Sequence, residues 1–209
     1  MAGLYPPGST IKPIVALSAL ENDVISPKFT VECRGSVDFY DRTYHCWKDK
    51  GHGFMNLRNG IKQSCDIYFY EVARRLGVDR LSVTAKQFGL GQKVLGTFLE
   101  ERSGVVPNTK WKLKNIGKGW YLGETLITGI GQGYFQSTPI QLCLMTAQLA
   151  NGGYKIKPKI IYNEQDFQTT TEDGGEKFKQ LYRNQENVKF ILDAQFGATN
   201  EPMGTSYRS

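Results

Sequence analysis

The run Leu4-Tyr5-Pro6-Pro7-Gly8-Ser9-Thr10-Ile11-Lys12-Pro13 constrains this chain more than any other stretch. Adjacent prolines fix φ and remove two backbone donors, so residues 4–8 form a stiff extended segment ending in a turn at Gly8. Ser9 to Asn22 then predicts a helix. Ser9 stands at its start, Pro13 falls in the tolerated first turn, and Ile14, Ala16, Leu17 and Leu20 give an apolar face. The chain must therefore leave a rigid turn directly into a core helix.

The rest of the chain divides by period and punctuation. Residues 28–56 are rich in Gly, Asp, His, Cys and aromatics without helical period, and predict short strands and loops. Short helices are expected over Asn56–Ser64, Ile67–Leu76 (stopped by Gly77) and Asp79–Phe88. Residues 90–133 are Gly-rich and read as irregular. Pro139–Ala150 carries the fullest helix signature, with Thr138 as N-cap, Pro139 first, Gln141 third and Gly152 just past the end. Tyr154–Tyr162 predicts a strand, Asn163–Glu176 a hairpin loop and Asn187–Phe196 a last helix, after which Gly197–Ser209 holds no further strand. Helices dominate an α+β chain.

The chain has 209 residues, 40% of them hydrophobic and 22% charged, enough for one domain with a core and unlike a disordered chain. The longest apolar candidate, Ile14–Leu20, is far short of the roughly 20 residues that cross a bilayer, and residues 1–30 lack the pattern of a secretory signal. The net charge is +6. Its densest part, Lys110, Lys112, Lys114 and Lys118 with Trp111 and Trp120 interleaved, reads as an edge strand or loop with a solvated basic surface. No nucleic-acid motif accompanies it, so no nucleic-acid partner is expected.

Two constellations carry chemistry. In Ser9-Thr10-Ile11-Lys12, a hydroxyl and an amine three residues apart share one helix face, about one turn from each other. The helix N-terminus adds free N–H groups suited to a developing oxyanion, and a partly desolvated Lys can take or relay the hydroxyl proton. In isolation the pair reads as a capping Ser with a surface Lys; the stiff turn before it holds a nucleophile in one pose. In Ser64-Cys65-Asp66, at a junction between helices, a hydroxyl and a carboxylate two residues apart can face one cleft, the Ser shuttling a proton and the Asp orienting substrate or holding the Lys. Alone this reads as the cap of the following helix.

Tyr5–Pro13 together with Ser64–Asp66 resembles the penicillin-binding protein transpeptidases and their β-lactamase relatives, which use S-x-x-K, then S-x-N, then K-T-G. The elongation-type penicillin-binding protein 2 group is more similar still, through Trp47–Gly53, Glu100-Glu101-Arg102-Ser103-Gly104, Gly119-Trp120-Tyr121 and Gly129–Tyr134 leading to Thr138-Pro139-Ile140-Gln141. Asp66 in place of Asn departs from the wider pattern and is similar to that group. The resemblance implies the transpeptidase fold, mostly helical with its central sheet incomplete. It also implies a peptidoglycan D,D-transpeptidase of cell elongation working through a serine acyl-enzyme and targeted by β-lactams. Ser9 would be the nucleophile, Lys12 its proton partner, and Ser64 and Asp66 the second motif. Peptidoglycan stem peptides and β-lactams are the implied ligands, and the elongation glycosyltransferase and scaffold proteins the implied partners. The implied location is the periplasmic face of the bacterial inner membrane. No Lys-Thr-Gly or Lys-Ser-Gly occurs. The expectation is accordingly a partial transpeptidase domain over residues 1–209, without the family's anchor, pedestal and third-motif strand, and with low turnover.

Cys33, Cys46, His52 and Cys65 follow the spacing Cys-x12-Cys-x5-His-x12-Cys. Three thiolates and an imidazole suit a closed tetrahedral zinc site of structural type; some penicillin-binding protein 2 members carry a metal in a region resembling this one. A disulfide such as Cys33–Cys46 and unpaired buried thiols are the other two readings. His45 is the alternative imidazole, and Cys143 is expected in the core. A rival view of the whole chain is a non-catalytic, zinc-stabilised interaction module of the elongation machinery.

Overall fold

A helix with no polar stripe belongs in the interior, and α1 (Lys12–Glu21) lies there, with every residue from Lys12 to Leu20 buried. The computed structural model describes residues 3–96, 100–158 and 179–207. The expected single helix from Ser9 splits in two. A 3-10 turn spans Gly8–Ile11, with the Lys12 N–H donating to the Ser9 carbonyl, before α1 proper begins. Pro13 has no N–H to give that carbonyl an α-type bond, so the tighter turn precedes it.

Around α1 pack α3 (Asp66–Leu76), α4 (Val78–Gln87) and α8 (Gln185–Asn200); α6 (Leu122–Gly129) backs onto α3, and α2 (Leu57–Lys62) onto α8. The α3–α6 approach is close: a Cβ on Gly129 would stand 2.3 Å from that of Ala73. Residues 28–56 form strands and loops as expected. Strand β1 (Thr30–Cys33) pairs antiparallel with β4 (Gly53–Asn56), Thr30 opposite Asn56. The hairpin β2 (Ser36–Phe39) and β3 (Arg42–His45) sets Ser36 opposite His45. Strand β1 rests on α3. Asn56 caps α2, its side chain accepting from Asn59 N–H at 2.9 Å.

The expected irregularity of 90–133 is corrected by two helices, α5 (Thr109–Ile116) and α6. Asn108 caps α5 by accepting from Trp111 N–H at 2.7 Å, and Gly117 closes it in the left-handed region at φ 72°. Lys110, Lys112 and Lys114 are therefore helical rather than strand or loop, and Lys118 follows the helix end. Helix α7 (Pro139–Ala150) has the expected bounds and the Thr138/Gln141 capping box. Cys143 is exposed rather than in the core. The inward stripe of α7 includes Gln141 and Gln148, whose amides bind the Gln92, Ser103 and Phe88 carbonyls, and Cys143 falls off that stripe. The strand expected at Tyr154–Tyr162 is, among the described residues, one isolated bridge, Tyr154 to Gln180; residues 159–162 and the hairpin expected over 163–176 lie outside them. The last helix runs on to Asn200 and is followed by turns.

Candidate active site and metal-ligand cluster

The turn that carries Ser9 is held from behind. Tyr5 and Ser137 exchange backbone hydrogen bonds at 2.9 Å, and Gly8 N–H donates to the Gly131 carbonyl at 2.9 Å. Gly131 sits at φ 74°, and a Cβ there would lie 2.2 Å from the Gly8 carbonyl oxygen, so only glycine permits this approach. Ser9 itself is exposed, on the rim of a cleft of about 860 Å3 that it lines with Ser64, Asp66, Trp47, Gln132 and Thr205, among others.

One turn along, Lys12 is 2% exposed. Its ammonium donates to Asp66 Oδ1 at 2.7 Å, Ser64 Oγ at 2.9 Å and the Ser64 carbonyl at 2.8 Å. Burial lowers the Lys12 pKa, against the raising influence of Asp66. Ser64 occupies the left-handed region at φ 50°, a conformation costly for a residue other than Gly. That backbone ends α2 and turns both oxygens of Ser64 onto the same ammonium. Among the described residues no hydrogen bond joins Lys12 to Ser9; Lys12 lies behind Ser64 and Asp66, which line the cleft together with Ser9.

Trp47 locks this arrangement from the strand lobe. Its backbone N–H donates to Asp66 Oδ2 at 3.0 Å, and its indole N–H to the Ser64 and Gln63 carbonyls at 3.0 and 3.1 Å. Tyr70 adds a bond from its hydroxyl to the His45 carbonyl at 3.2 Å. The ionisable motifs alone do not point to Trp47, Tyr70, Gln132 or Thr205. Trp47 and Gln132 do lie in the segments that carried the resemblance, which was the signal available.

Next to Trp47, one ligand atom from each of Cys33, Cys46, His52 and Cys65 falls within 4.8 Å of every other. One His52 nitrogen, Nδ1, is 3.5 Å from both Cys33 Sγ and Cys46 Sγ, while Nε2 is buried with no hydrogen-bond partner. The hydrogen bond with Cys65 holds the Cys46 thiol below its ordinary range and pushes Cys65 above it. Converging thiols, one already favouring thiolate, and an imidazole whose Nδ1 faces two of them fit a metal ion. The three sulfurs are free rather than bridged, and His45 is not in the group but lines the cleft.

Residues 1–199 match the family described as "Penicillin binding protein transpeptidase domain". The chain is 35% identical over 210 residues to "Peptidoglycan D,D-transpeptidase MrdA" of Salmonella typhimurium strain SL1344, covering 99% of this chain and 34% of that protein. It is 36% identical over 216 residues to the protein so named in Escherichia coli strain K12, covering 99% and 33%. It thus spans about a third of the length of these curated relatives. In structure it is similar to Pseudomonas aeruginosa PBP2 in complex with WCK 5153, with a TM-score of 0.86 and 37% identity over 100% of this chain and 48% of that one. Helicobacter pylori PBP2, solved in complex with MreC, gives a TM-score of 0.86 and 32% identity over 99% and 37%. With Ser9 and the Ser64–Asp66 pair on one cleft of this α+β fold, the buried Lys12 bound to that pair, and relatives of the MrdA (PBP2) type along its whole length, the chain belongs to the penicillin-binding protein transpeptidase family.

Proposed function

We propose that this chain is the part of an elongation-type peptidoglycan D,D-transpeptidase that carries its nucleophile. The observation that carries the reading is the Lys12 ammonium, buried at 2% exposure, bound to both Ser64 and Asp66 on the wall of the cleft that Ser9 rims. With Lys12 in its neutral amine form, which burial favours, Ser9 Oγ attacks the carbonyl between the two terminal D-alanines of a stem peptide and its proton passes to the Lys12 amine, relayed by Ser64. The C–N bond then breaks, the released D-alanine amine takes up that proton, and the acyl group stays on Ser9. An amine of a neighbouring stem attacks the ester, the acyl group is transferred, and Ser9 regains its proton. Asp66 keeps Lys12 aimed. A β-lactam presents a similar strained amide and leaves a stable acyl-Ser9.

Zinc is the metal whose chemistry the Cys33, Cys46, His52 and Cys65 donors match, in a closed structural role. It would fix Cys46 and Cys65, and through them Trp47, Ser64 and Asp66. Partners follow the family: the elongation glycosyltransferase and scaffold proteins, at the periplasmic face of the inner membrane. The non-catalytic module gives no reason for four polar groups to converge on one cleft, and the transpeptidase reading is preferred. The test is intact-mass analysis after incubation with a labelled β-lactam. One adduct per chain, absent in Ser9→Ala, supports the reading; an adduct that persists in Ser9→Ala refutes it.

A further inference from the structure

A second cleft, of about 700 Å3, opens between α4, the end of α1 and the paired segments around Tyr154 and Gln180, and shares no lining residue with the first. Among the described residues, Arg80, Lys86, Lys155, Lys179 and Arg183 line it, against one carboxylate, Glu21. That carboxylate is saturated, accepting from the backbone N–H groups of Arg183 and Asn184 and from the Asn187 side chain. The Arg183 guanidinium leans on the neutral Glu21 carbonyl at 2.7 Å. Among the described residues no carboxylate pairs with Arg80, Lys86, Lys155 or Lys179.

Between the cations lies apolar surface: Val83, 58% exposed, with Leu181 and Tyr182. Like charges gathered around a concavity repel one another and focus a positive potential into it. A cleft of this size with Val83, Leu181 and Tyr182 in its lining is larger than one phosphate needs, and it matches an extended strand bearing carboxylates and a few apolar side chains. We propose that this cleft binds an acidic segment of a partner polypeptide, a function separate from the chemistry at Ser9.

The test is fluorescence anisotropy with a labelled peptide of Glu and Asp interspersed with Leu, against an uncharged Gln and Asn version. Binding of the acidic peptide alone, weakened by salt and at least about tenfold weaker in Lys86→Glu/Lys155→Glu, supports the proposal. Circular dichroism and the melting temperature confirm that the variant is folded, and the milder Lys86→Gln/Lys155→Gln replaces it if it is not. Failure to bind, equal binding by the variant, or displacement by stoichiometric inorganic phosphate overturns the proposal. So does binding that appears only after Glu164, Asp166, Glu172, Asp173 and Glu176 of the chain itself are changed to amides, which would assign the cleft to that internal stretch.

Discussion

Lys12 and Lys112 are each 2% exposed and each ion-paired, at 2.7 Å to Asp66 and 2.5 Å to Glu124, yet their surroundings differ. The Lys12 ammonium also meets two oxygens of Ser64, a residue in a strained backbone beside an open cleft. The Lys112 ammonium lies 4.4 Å from the centre of the Tyr121 ring and 5.9 Å from that of Trp120. Its partner Glu124 is spent on capping α6, accepting from Tyr121 N–H at 2.8 Å. A buried lysine is therefore no sign of chemistry by itself. A lysine bound to a hydroxyl that lines a cleft is placed to relay protons through it; one among aromatic rings joins two helices.

Substitution of the two lysines tests that contrast, and the largest effect belongs to Lys12. Lys12→Met keeps the length of the side chain and removes the proton partner, so β-lactam acylation of Ser9 should fall by about 10³. A stopped-flow or intact-mass time course checks this, and a loss of less than tenfold would merge the two lysines into one structural class. The proposed zinc site comes next. Metal analysis should find one zinc per chain; chelation, or Cys33→Ser, should lower the melting temperature and slow acylation by loosening the Trp47–Asp66 contact.

Lys112→Met should leave the acylation rate within about threefold. It should lower stability by about 2 kcal/mol in a denaturant titration, less than for a fully buried pair because Glu124 is partly exposed. The smallest effect concerns Glu201, which Arg58 and Lys62 hold down to about 2 through hydrogen bonds between α2 and the end of α8. A depressed carboxylate stabilises the fold above its ordinary range and loses that contribution as pH falls toward the folded value. The melting temperature should therefore decline between about pH 5 and pH 2 more steeply in the parent than in Glu201→Gln.

The two lysines also show what the sequence made legible. Lys12 was readable because a stiff Pro-Pro-Gly turn and a three-residue spacing are local facts, and α7 because Thr138, Pro139 and Gln141 write its start in adjacent letters. Lys112 was not. Alternating Lys110, Lys112 and Lys114 mimic the period of a strand, and glycines on either side mask α5 and α6. The caps Asn108 and Gly117 were there to be read, but they are weak local signals beside the glycine-rich composition. Burial of Lys112, exposure of Cys143 and the Trp47 bonds to Asp66 and Ser64 arise from tertiary contacts that no window of sequence contains. The splitting of the first helix lay between these cases: Pro13 was visible, and its consequence for the Ser9 carbonyl follows from backbone hydrogen bonding alone.

The central claim is that the Ser9 hydroxyl, and no other, is the group that becomes acylated. Proteolytic mapping of the chain after reaction with a β-lactam tests it most directly. The added mass should fall on the peptide that carries Ser9, and on Ser9 itself by fragmentation. A label on Ser64, Lys12 or a cysteine, with Ser9 unmodified, would contradict it.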